Sequence, residues 1–404
     1  MIKPDELYGT PNRLAPHYSK FRVADRLLLT GHSHQAWPDR GFEGQQQAWR
    51  DAAEYVDEKW DRAFETAERV RSGYRRLLGD NHGELALGQN THELVVRFLS
   101  GLRLQDRPRV VTTDGEFHTI RRQLDRLVEE GVEIVKVASL PAGTLAERVI
   151  QSVNDRTAAV LVSSVLFHNA QIVPNLGAVS TACRRAGAEL LVDAYHALNV
   201  VPFSVEQEGL DGAFIVGGGY KYCQLGEGNS FLRVPPDTKM RPVVTGWFAE
   251  FATLSDAADG KVKYGTGHAR FAGATYDPTS HYRAATVFDF FEEFNLTPAL
   301  LREVSQHQIE LLARSFDALD ADPQIITRDR SVDLDAIGGF LALHSENAEE
   351  MSRLLRERGV ATDYRADVLR LGPAPYLSDR QLSDAMEVLR EVLQTVSSPT
   401  RFPA

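Results

Sequence analysis

The chain has 404 residues, enough for two or three domains, and its 43% of hydrophobic residues suffice for a sizeable core without cross-links. The 45 basic and 56 acidic residues give a formal net charge of −11, which argues against non-specific binding to nucleic acid or to a membrane surface. Only two cysteines occur, Cys183 and Cys223, so neither a disulfide framework nor a cysteine-based metal site is indicated. With no apolar leader and no long apolar run, we expect a soluble, cytoplasmic protein.

A loop with two histidines follows an N-terminal arm. Residues 1–30 are predicted to form an irregular arm, and the loop 31–38 then places Ser33 between His32 and His34. Two histidines without a neighbouring carboxylate or cysteine are a weak metal signal. We therefore predict no metal here and expect these histidines to line a pocket.

Two helical stretches come next. Apolar residues at three- and four-residue spacing predict a helix over residues 42–78, and Gly79 closes it. A short apolar strand over residues 85–88 leads to Asn90 and Thr91, which open a second helix. Either residue is a natural N-cap, and the free N–H groups and dipole of a first helical turn also suit a phosphate. A simple cap is the alternative interpretation.

Strands and helices alternate between residues 109 and 193. Strands are expected at 109–113, 133–137, 158–165 and 189–193, and helices at 120–130, 145–153 and 176–186. This alternation predicts an α/β fold with a doubly wound, mostly parallel sheet, whose ligands lie at the C-terminal ends of the strands. Four polar or aromatic residues fall at such ends: Thr91, Phe117, Asp193 and Lys221.

The apolar strand that ends in Asp193 is followed three residues later by His196. A buried carboxylate at a strand end is costly unless a cation or a strong donor meets it. The protonated ring nitrogen of pyridoxal phosphate (PLP) is such a partner. On composition alone, Asp193 is equally well a cap or turn residue, and His196 is equally well a hydrogen-bonded core histidine.

Glycines surround a lysine 28 residues after Asp193. Gly217 to Gly219 follow a short apolar strand and precede Tyr220 and Lys221, and two further glycines turn the chain into the next strand. Glycines permit tight turns and a close approach of the backbone to a ligand. Desolvation at this position would favour the neutral amine, which is the nucleophile needed for a Schiff base. The alternative is an ordinary solvated lysine on a surface loop.

Residues 192–235 resemble the cofactor-binding core of kynureninases, and they read VDAYHALNVVPFSVEQEGLDGAFIVGGGYKYCQLGEGNSFLRVP. Kynureninases belong to the class V aminotransferase group of fold-type-I PLP enzymes. The resemblance can be followed from about Gly31 to about Leu393 and is strongest over residues 188–235.

The resemblance implies pyridoxal 5′-phosphate as the cofactor and Lys221 and Asp193 as the catalytic residues, both of which would also contact the cofactor. Five further residues are implied in cofactor binding: Asn90, Thr91 and Tyr220 at the phosphate, Phe117 stacked on the ring, and His196 in support of the hydrogen bonds. The usual family sequence Phe-Pro-Ser/Thr-Asp is Phe-His-Thr-Ile here, at residues 117–120. The aromatic residue and the hydroxyl are therefore kept.

Five residues are implied at the substrate side or across a subunit interface. Ser33 and His34 lie where kynureninases carry a Gly-Asn-Ser-Leu-Gly loop at the substrate site. Arg370 precedes a Pro-x-Pro turn, as does the family's arginine for the α-carboxylate. Trp247 and Thr275 match segments that reach the cofactor or substrate of the neighbouring subunit, which implies a homodimer with shared active sites.

The implied organisation is a large PLP-binding domain at residues 31–285 and a smaller C-terminal α/β domain at 286–404. The implied activity is that of kynureninase, hydrolysis of a β,γ C–C bond in a free amino acid through a Schiff base of Lys221. A class V aminotransferase or C–S lyase acting on another amino acid is the alternative, because this scaffold serves several reactions.

Other functional classes fit the sequence less well. A cysteine desulfurase needs a cysteine on a late loop, and none follows Cys223. An NAD-dependent reductase would need a Gly-x-Gly-x-x-Gly turn near the start, which is missing. A non-catalytic PLP-binding regulator would need an appended basic DNA-binding segment, and none is present.

Overall fold

The computed structural model describes residues 2–255 and 260–396. The strands in this part of the chain are β1 (Leu27–Leu28), β2 (Glu84–Gly88), β3 (Arg109–Thr113), β4 (Glu133–Val137), β5 (Thr157–Ser163), β6 (Glu189–Asp193), β7 (Phe214–Gly218), β8 (Ser230–Val234), β9 (Leu341–His344), β10 (Val360–Ala361), β11 (Asp363–Arg365) and β12 (Val368–Leu371). The α-helices are α1 (Asp39–Tyr55), α2 (Lys59–Leu78), α3 (Thr91–Ser100), α4 (His118–Glu129), α5 (Leu145–Ser152), α6 (Leu176–Ala186), α7 (Thr279–Glu293), α8 (Pro298–Asp317), α9 (Ala348–Glu357) and α10 (Asp379–Val396). None of these helices is both long enough and apolar enough to cross a lipid bilayer. Residues 397–404, the end of the predicted C-terminal domain, lie outside the described residues.

Seven strands form the central sheet in the order β2-β8-β7-β6-β5-β3-β4. The strands from β7 to β4 in this order pair in parallel. By contrast, β8 is antiparallel to both β7 and β2. The predicted α/β fold with a mostly parallel sheet is therefore confirmed.

The middle of the sheet is buried on both faces. All residues of β5 are buried, and its side chains alternate between two hydrophobic clusters. Val160 and Val162 join one cluster, whereas Ala159 and Leu161 join the other. Because both faces are covered, the carboxyl edge of the sheet is where a ligand gains access to these strands.

The prediction of one helix over residues 42–78 is wrong, because α1 and α2 divide this stretch. Val56 follows α1 with φ of 49° and ψ of −97°, outside the helical region, and its N–H donates to the Ala52 carbonyl at 3.1 Å. Trp49 on α1 is 80% exposed. The apolar spacing that suggested one helix therefore includes a surface position.

The N-terminal arm is built of short 3₁₀ turns at Pro4–Leu7, Ala15–Phe21 and Val23–Asp25. It packs against the C-terminal part of the chain, where β1 pairs in parallel with β10 and Asn12 donates to the Pro375 carbonyl. Arm and C-terminal region thus share a core. The domain limits at residues 31 and 286 stay a prediction.

A second sheet of three antiparallel strands, in the order β11-β12-β9, lies in the C-terminal region. Its register sets Asp363 opposite Arg370. Cross-strand partners lie side by side on one face of a sheet, so this register brings an acidic and a basic side chain together.

A buried ion pair anchors β8. Arg233 is 1% exposed, and its Nε donates to Asp80 Oδ2 at 2.8 Å. Its Nη1 donates to the Ala213 carbonyl at 2.8 Å. We expect Asp80→Ala to lower the free energy of unfolding by about 3–5 kcal/mol, measured by urea denaturation, because the guanidinium stays buried without its carboxylate. Asp106→Ala breaks an exposed pair and should cost less than about 1 kcal/mol, so equal losses would contradict this expectation.

Candidate active site

The strand ends at one edge of the sheet bring the predicted site residues close together. Gly88, Ser230 and Gly218 form a row across β2, β8 and β7. The helix that begins at Thr91 therefore starts at the edge where β7 leads to Lys221. The parallel partners β6, β5 and β3 end at this edge as well, and they supply Asp193 and the loop before Phe117.

Lys221 lies buried in the centre of this edge, with 8% of its surface exposed. Its Nζ is 2.8 Å from His196 Nε2 and lies 5.4–5.9 Å from the ring centroids of Tyr195, Tyr220 and Phe117. Burial, reinforced by the positive charge of Arg370, lowers the pKa of Lys221 to about 7. A large fraction of this amine is therefore neutral at physiological pH.

Backbone turns on both sides hold the lysine in place. The Gly219 N–H donates to the Asn229 carbonyl at 2.8 Å, and the Leu225 N–H donates to the Gly219 carbonyl at 2.9 Å. A Cβ at Gly218 would lie 2.5 Å from the Tyr195 hydroxyl oxygen, which is closer than a side chain tolerates. The glycines noted in the sequence thus allow the aromatic residues to close around Lys221.

Asp193 ends β6 and accepts a hydrogen bond from the Tyr195 N–H at 2.9 Å. Its surface is partly accessible, and desolvation raises its pKa to about 6 despite the opposing charge of Lys221. His196 is buried, and burial together with Lys221 holds its pKa well below the usual value, so the ring is neutral. Its Nδ1 is buried without a hydrogen-bond partner among the described residues.

Aromatic rings lie close to the lysine. Phe117 packs edge-on against Phe167 with centroids 5.3 Å apart. His34 stacks on Tyr220 at 4.8 Å with an angle of 21° between the rings, and its Nδ1 is 3.1 Å from the Ser33 hydroxyl. The loop predicted to line a pocket therefore contacts the residue that precedes Lys221.

Arg370 is buried and held by two groups. Its Nε and Nη2 donate to the two carboxylate oxygens of Asp363 at 2.8 and 2.6 Å, and its Nη1 donates to the Phe167 carbonyl at 2.8 Å. His32 is bonded to the same carboxylate through Nε2 at 2.8 Å. Burial alone would raise the pKa of Asp363, but these hydrogen bonds hold it well below its usual range. Asp363 thus fixes the orientation of the guanidinium.

Asp363, Glu116 and Phe167 are site residues that the sequence did not single out. Alternation on a short hairpin could have indicated Asp363, because Asp363 and Arg370 occupy matching positions around the turn at Ala366. His32 was considered only as a weak metal ligand or a pocket-lining residue, whereas the structure pairs it with Asp363.

The two predicted phosphate contacts on α3 have different environments. Asn90 is the N-cap, and its Oδ1 accepts a hydrogen bond from the Glu93 N–H at 2.9 Å. Thr91 is the first residue of the helix and is partly exposed. The cap position is therefore filled by Asn90, and the Thr91 hydroxyl makes no hydrogen bond within residues 2–255 and 260–396.

Trp247 and Thr275 make no contact with Lys221 within the described part of one chain. Trp247 is 44% exposed and packs on Phe248 at 4.3 Å between centroids. Thr275 lines a cavity of about 490 Å³ whose other walls include Arg97 and His281. Both residues therefore lie in surroundings of their own, Trp247 among aromatic rings and Thr275 on a cavity wall.

Part of the chain matches a known family model, and most of it is similar in sequence to known proteins. Residues 301–389 match the model of the kynureninase C-terminal domain. An uncharacterised aminotransferase of Bacillus subtilis is 23% identical over 344 residues, which cover 84% of this chain and 88% of that protein. A kynureninase of Deinococcus radiodurans is 25% identical over 393 residues, which cover 93% of this chain and 92% of that enzyme.

Solved structures of low sequence identity share the fold. The cystine C–S lyase C-DES, in complex with cysteine persulfide, has a TM-score of 0.80 at 14% identity and covers 91% of this chain and 98% of its own. The cysteine desulfurase of Thermococcus onnurineus has a TM-score of 0.78 at 15% identity, with 98% and 99% covered. The kynureninase domain and the kynureninase relatives support the prediction of a kynureninase-like, PLP-dependent enzyme, and these structures show the fold that the chain shares with them.

Proposed function

We propose that Lys221 carries the PLP cofactor covalently and that the enzyme acts on the α-amino group of a free amino acid. The observation that carries this proposal is the buried Lys221 amine, whose pKa is lowered to about 7, at the same sheet edge as the partly accessible Asp193 carboxyl. When bound, PLP supplies an electron sink that stabilises negative charge at the substrate Cα.

The residues around Lys221 fit such a cofactor. One oxygen of the Asp193 carboxyl accepts a hydrogen bond from the Tyr195 N–H. The other oxygen can accept a hydrogen bond from a protonated ring nitrogen. The His196 Nδ1 is buried and has no hydrogen-bond partner in the described part of the chain, which suits a ligand with polar groups at this depth. Phe117 offers a ring face, and the start of α3 with Thr91 offers N–H and hydroxyl donors for a phosphate.

The chain's own groups then divide the tasks. Asp193 would hold the ring nitrogen of the cofactor in its protonated form. Lys221 takes up and returns a proton at Nζ, a task suited to an amine with a pKa close to the working pH. His196 is a neutral ring whose Nε2 lies 2.8 Å from the Lys221 Nζ. It can orient the amine through a hydrogen bond without adding a positive charge.

Arg370 would bind the substrate α-carboxylate. Its three hydrogen bonds use one N–H on each nitrogen, so within the described residues one N–H on each terminal nitrogen remains as a donor. A guanidinium with free donors binds a carboxylate through charge-assisted hydrogen bonds. Asp363 would hold the guanidinium in place for that contact.

The specific reaction we propose is hydrolysis of a β,γ C–C bond, as in kynureninase. Its support is the kynureninase C-terminal domain at residues 301–389 and several kynureninases among the relatives. Aminotransfer or C–S lysis is the second candidate, favoured by the aminotransferase relative and by the fold of the C–S lyase. Cysteine desulfuration is disfavoured, because Cys183 and Cys223 are both buried. Burial raises the pKa of Cys183 to about 12 and also raises the pKa of Cys223 above its ordinary value, so neither thiol readily becomes the reactive thiolate.

Adding L-kynurenine to the PLP-loaded enzyme tests the specific reaction. Formation of anthranilate with multiple turnovers would support the hydrolase. Formation of a keto acid or of a sulfur product from other amino acids, with no anthranilate, would select the second candidate. Arg370 is expected to be needed in either case, because both reactions use a free α-carboxylate.

We further propose that the enzyme works as a homodimer, because an apolar surface cluster is built from Phe64, Trp247, Phe248 and Phe251. Trp247 is 44% exposed and Phe251 is 51% exposed, and ring contacts of 4.3–6.1 Å join the four residues. Exposed apolar patches of this kind mark interaction surfaces. A second copy would cover the cluster and bring Trp247 and Thr275 to its active site.

The cytoplasmic location stays a prediction.

We expect Trp247→Glu to raise the dimer dissociation constant at least about tenfold, because a charge would be buried at the contact. Sedimentation equilibrium measures the constant. Val128→Glu, at a position 52% exposed on α4, is the matched control and should leave it unchanged. A wild-type protein that stays monomeric at all concentrations would contradict the dimer.

A further inference from the structure

Glu116 is a buried acidic residue directly before Phe117, and the proposed chemistry does not use it. It is 2% exposed. Its Oε1 accepts hydrogen bonds from the Thr113 hydroxyl at 2.7 Å and the Ser163 N–H at 3.1 Å, and its Oε2 accepts one from the Ser163 hydroxyl at 2.6 Å. The carboxylate therefore ties the segment that leads to Phe117 to the last residue of β5.

The same serine connects Glu116 to Asp193. Ser163 is the register partner of Asp193 on β6, and the next residue, Ser164, donates its N–H to the Asp193 carbonyl at 2.9 Å. Two acidic side chains thus stand at adjacent strand ends. Burial, reinforced by the charge of Asp193, raises the pKa of Glu116 to about 7.

We propose that Glu116 is a positioning residue for the cofactor: it holds Phe117 beside the ring site and, as a second carboxyl next to Asp193, makes cofactor affinity depend on pH. This inference rests on the proposed attachment of PLP at Lys221 with Asp193 at the ring nitrogen. Glu116 itself reaches the cofactor only through Phe117 and Asp193.

The physical reason is the coupling of two neighbouring carboxyls, the buried Glu116 and the partly accessible Asp193. Two neighbouring groups of this kind do not both ionise readily, whereas a positively charged ring nitrogen beside Asp193 favours ionisation of the pair. The charged group that faces Glu116 from a packed strand is Asp193, with Lys221 beyond it at the end of β7. On its own segment, Asp114 accepts a hydrogen bond from the Ser139 N–H, and His118 begins α4.

Two variants separate the role of Glu116 in holding Phe117 from the effect of its ionisation on cofactor affinity. Glu116→Gln keeps the shape and one acceptor but does not titrate, whereas Glu116→Ala removes the tie as well. The probe is PLP added to the apoenzyme, with its dissociation constant measured from visible absorbance between pH 5.5 and 8.5. We expect Glu116→Gln to bind PLP as wild type does below about pH 6 and about tenfold more weakly above about pH 8, which corresponds to one pKa unit of coupling.

Visible circular dichroism and the stability of the apoenzyme give independent readouts. Glu116→Ala should change the dichroism of bound PLP at every pH, because Phe117 loses its anchor. The folded-state pKa of Glu116 is raised above its unfolded value of 4.5, so its contribution to stability is present below pH 4.5 and is lost as pH rises to about 7. Wild type should therefore lose stability relative to Glu116→Gln across that window.

The outcomes distinguish this inference from the proposed function. Identical pH profiles of PLP affinity for wild type and Glu116→Gln, with a normal visible band in both, would overturn the role of Glu116 and leave the role of Lys221 intact. Absence of a visible band from wild type at every pH would overturn the proposed function and this inference with it.

Discussion

Replacing Lys221 by alanine is expected to remove the visible band of bound PLP, near about 410–430 nm, and to lower turnover by at least about a thousandfold. The band belongs to the covalent link between cofactor and amine, and alanine cannot form it. The same substitution removes the group that moves protons at the reacting carbon, so two contributions are lost together. Absorption spectra of the purified protein, before and after addition of PLP, measure the first effect directly.

Two controls make this result specific. Lys136→Ala removes an exposed lysine that pairs with Asp125, and it should leave both the band and the turnover unchanged. Lys221→Arg keeps a positive charge but not a nucleophilic amine, and it should lose the band as alanine does. A normal band in Lys221→Ala would show that another group holds the cofactor.

The second large effect is expected at Arg370. Arg370→Lys keeps the charge but replaces the planar fork by a single ammonium group, and kcat/KM for an amino-acid substrate should fall about a hundredfold. That factor corresponds to about 3 kcal/mol, the order of one charge-assisted hydrogen bond together with lost orientation. The loss should appear mainly in KM, because the substrate carboxylate does not react.

Arg365→Lys is the matched control for Arg370→Lys. Arg365 lies on the same hairpin, 3.6 Å from Asp363, and its side chain is 42% exposed. Its replacement should change kcat/KM by less than about threefold, since exposed ion pairs contribute little. A loss as large as that of Arg370→Lys would indicate that Arg365 binds the substrate carboxylate. An unchanged KM in Arg370→Lys would show that Arg370 does not bind it.

The regular elements of the sheet, and the residues at the ends of its strands, could be predicted from the sequence. Alternating strands and helices predicted the parallel sheet, because the apolar period of a segment depends on its own residues. Parallel strands place their carboxyl ends at one edge, so Asp193 and Lys221 could be assigned to the same edge from their positions after β6 and β7. Glycines at residues 217–219 likewise predicted tight turns and a close approach of the backbone to a ligand beside the lysine.

Local spacing was less informative where a segment departs from regular structure. One helix was predicted over residues 42–78, but Val56 takes a positive φ and divides it into α1 and α2. The apolar residues of α1 kept a helical spacing although Trp49 faces solvent. Spacing reports a face of a helix, and only the neighbours of that face decide whether it is buried.

The sequence by itself determined the alternation of strands and helices, the positions of Lys221 and Asp193 after two strands, and the family resemblance that linked them to PLP. Only the tertiary structure decided that Asp363 holds Arg370 by two hydrogen bonds and that Glu116 lies next to Asp193. The physical reason is that ion pairs, desolvation and pKa values depend on distances between residues far apart in sequence. Those distances exist only once the chain has folded.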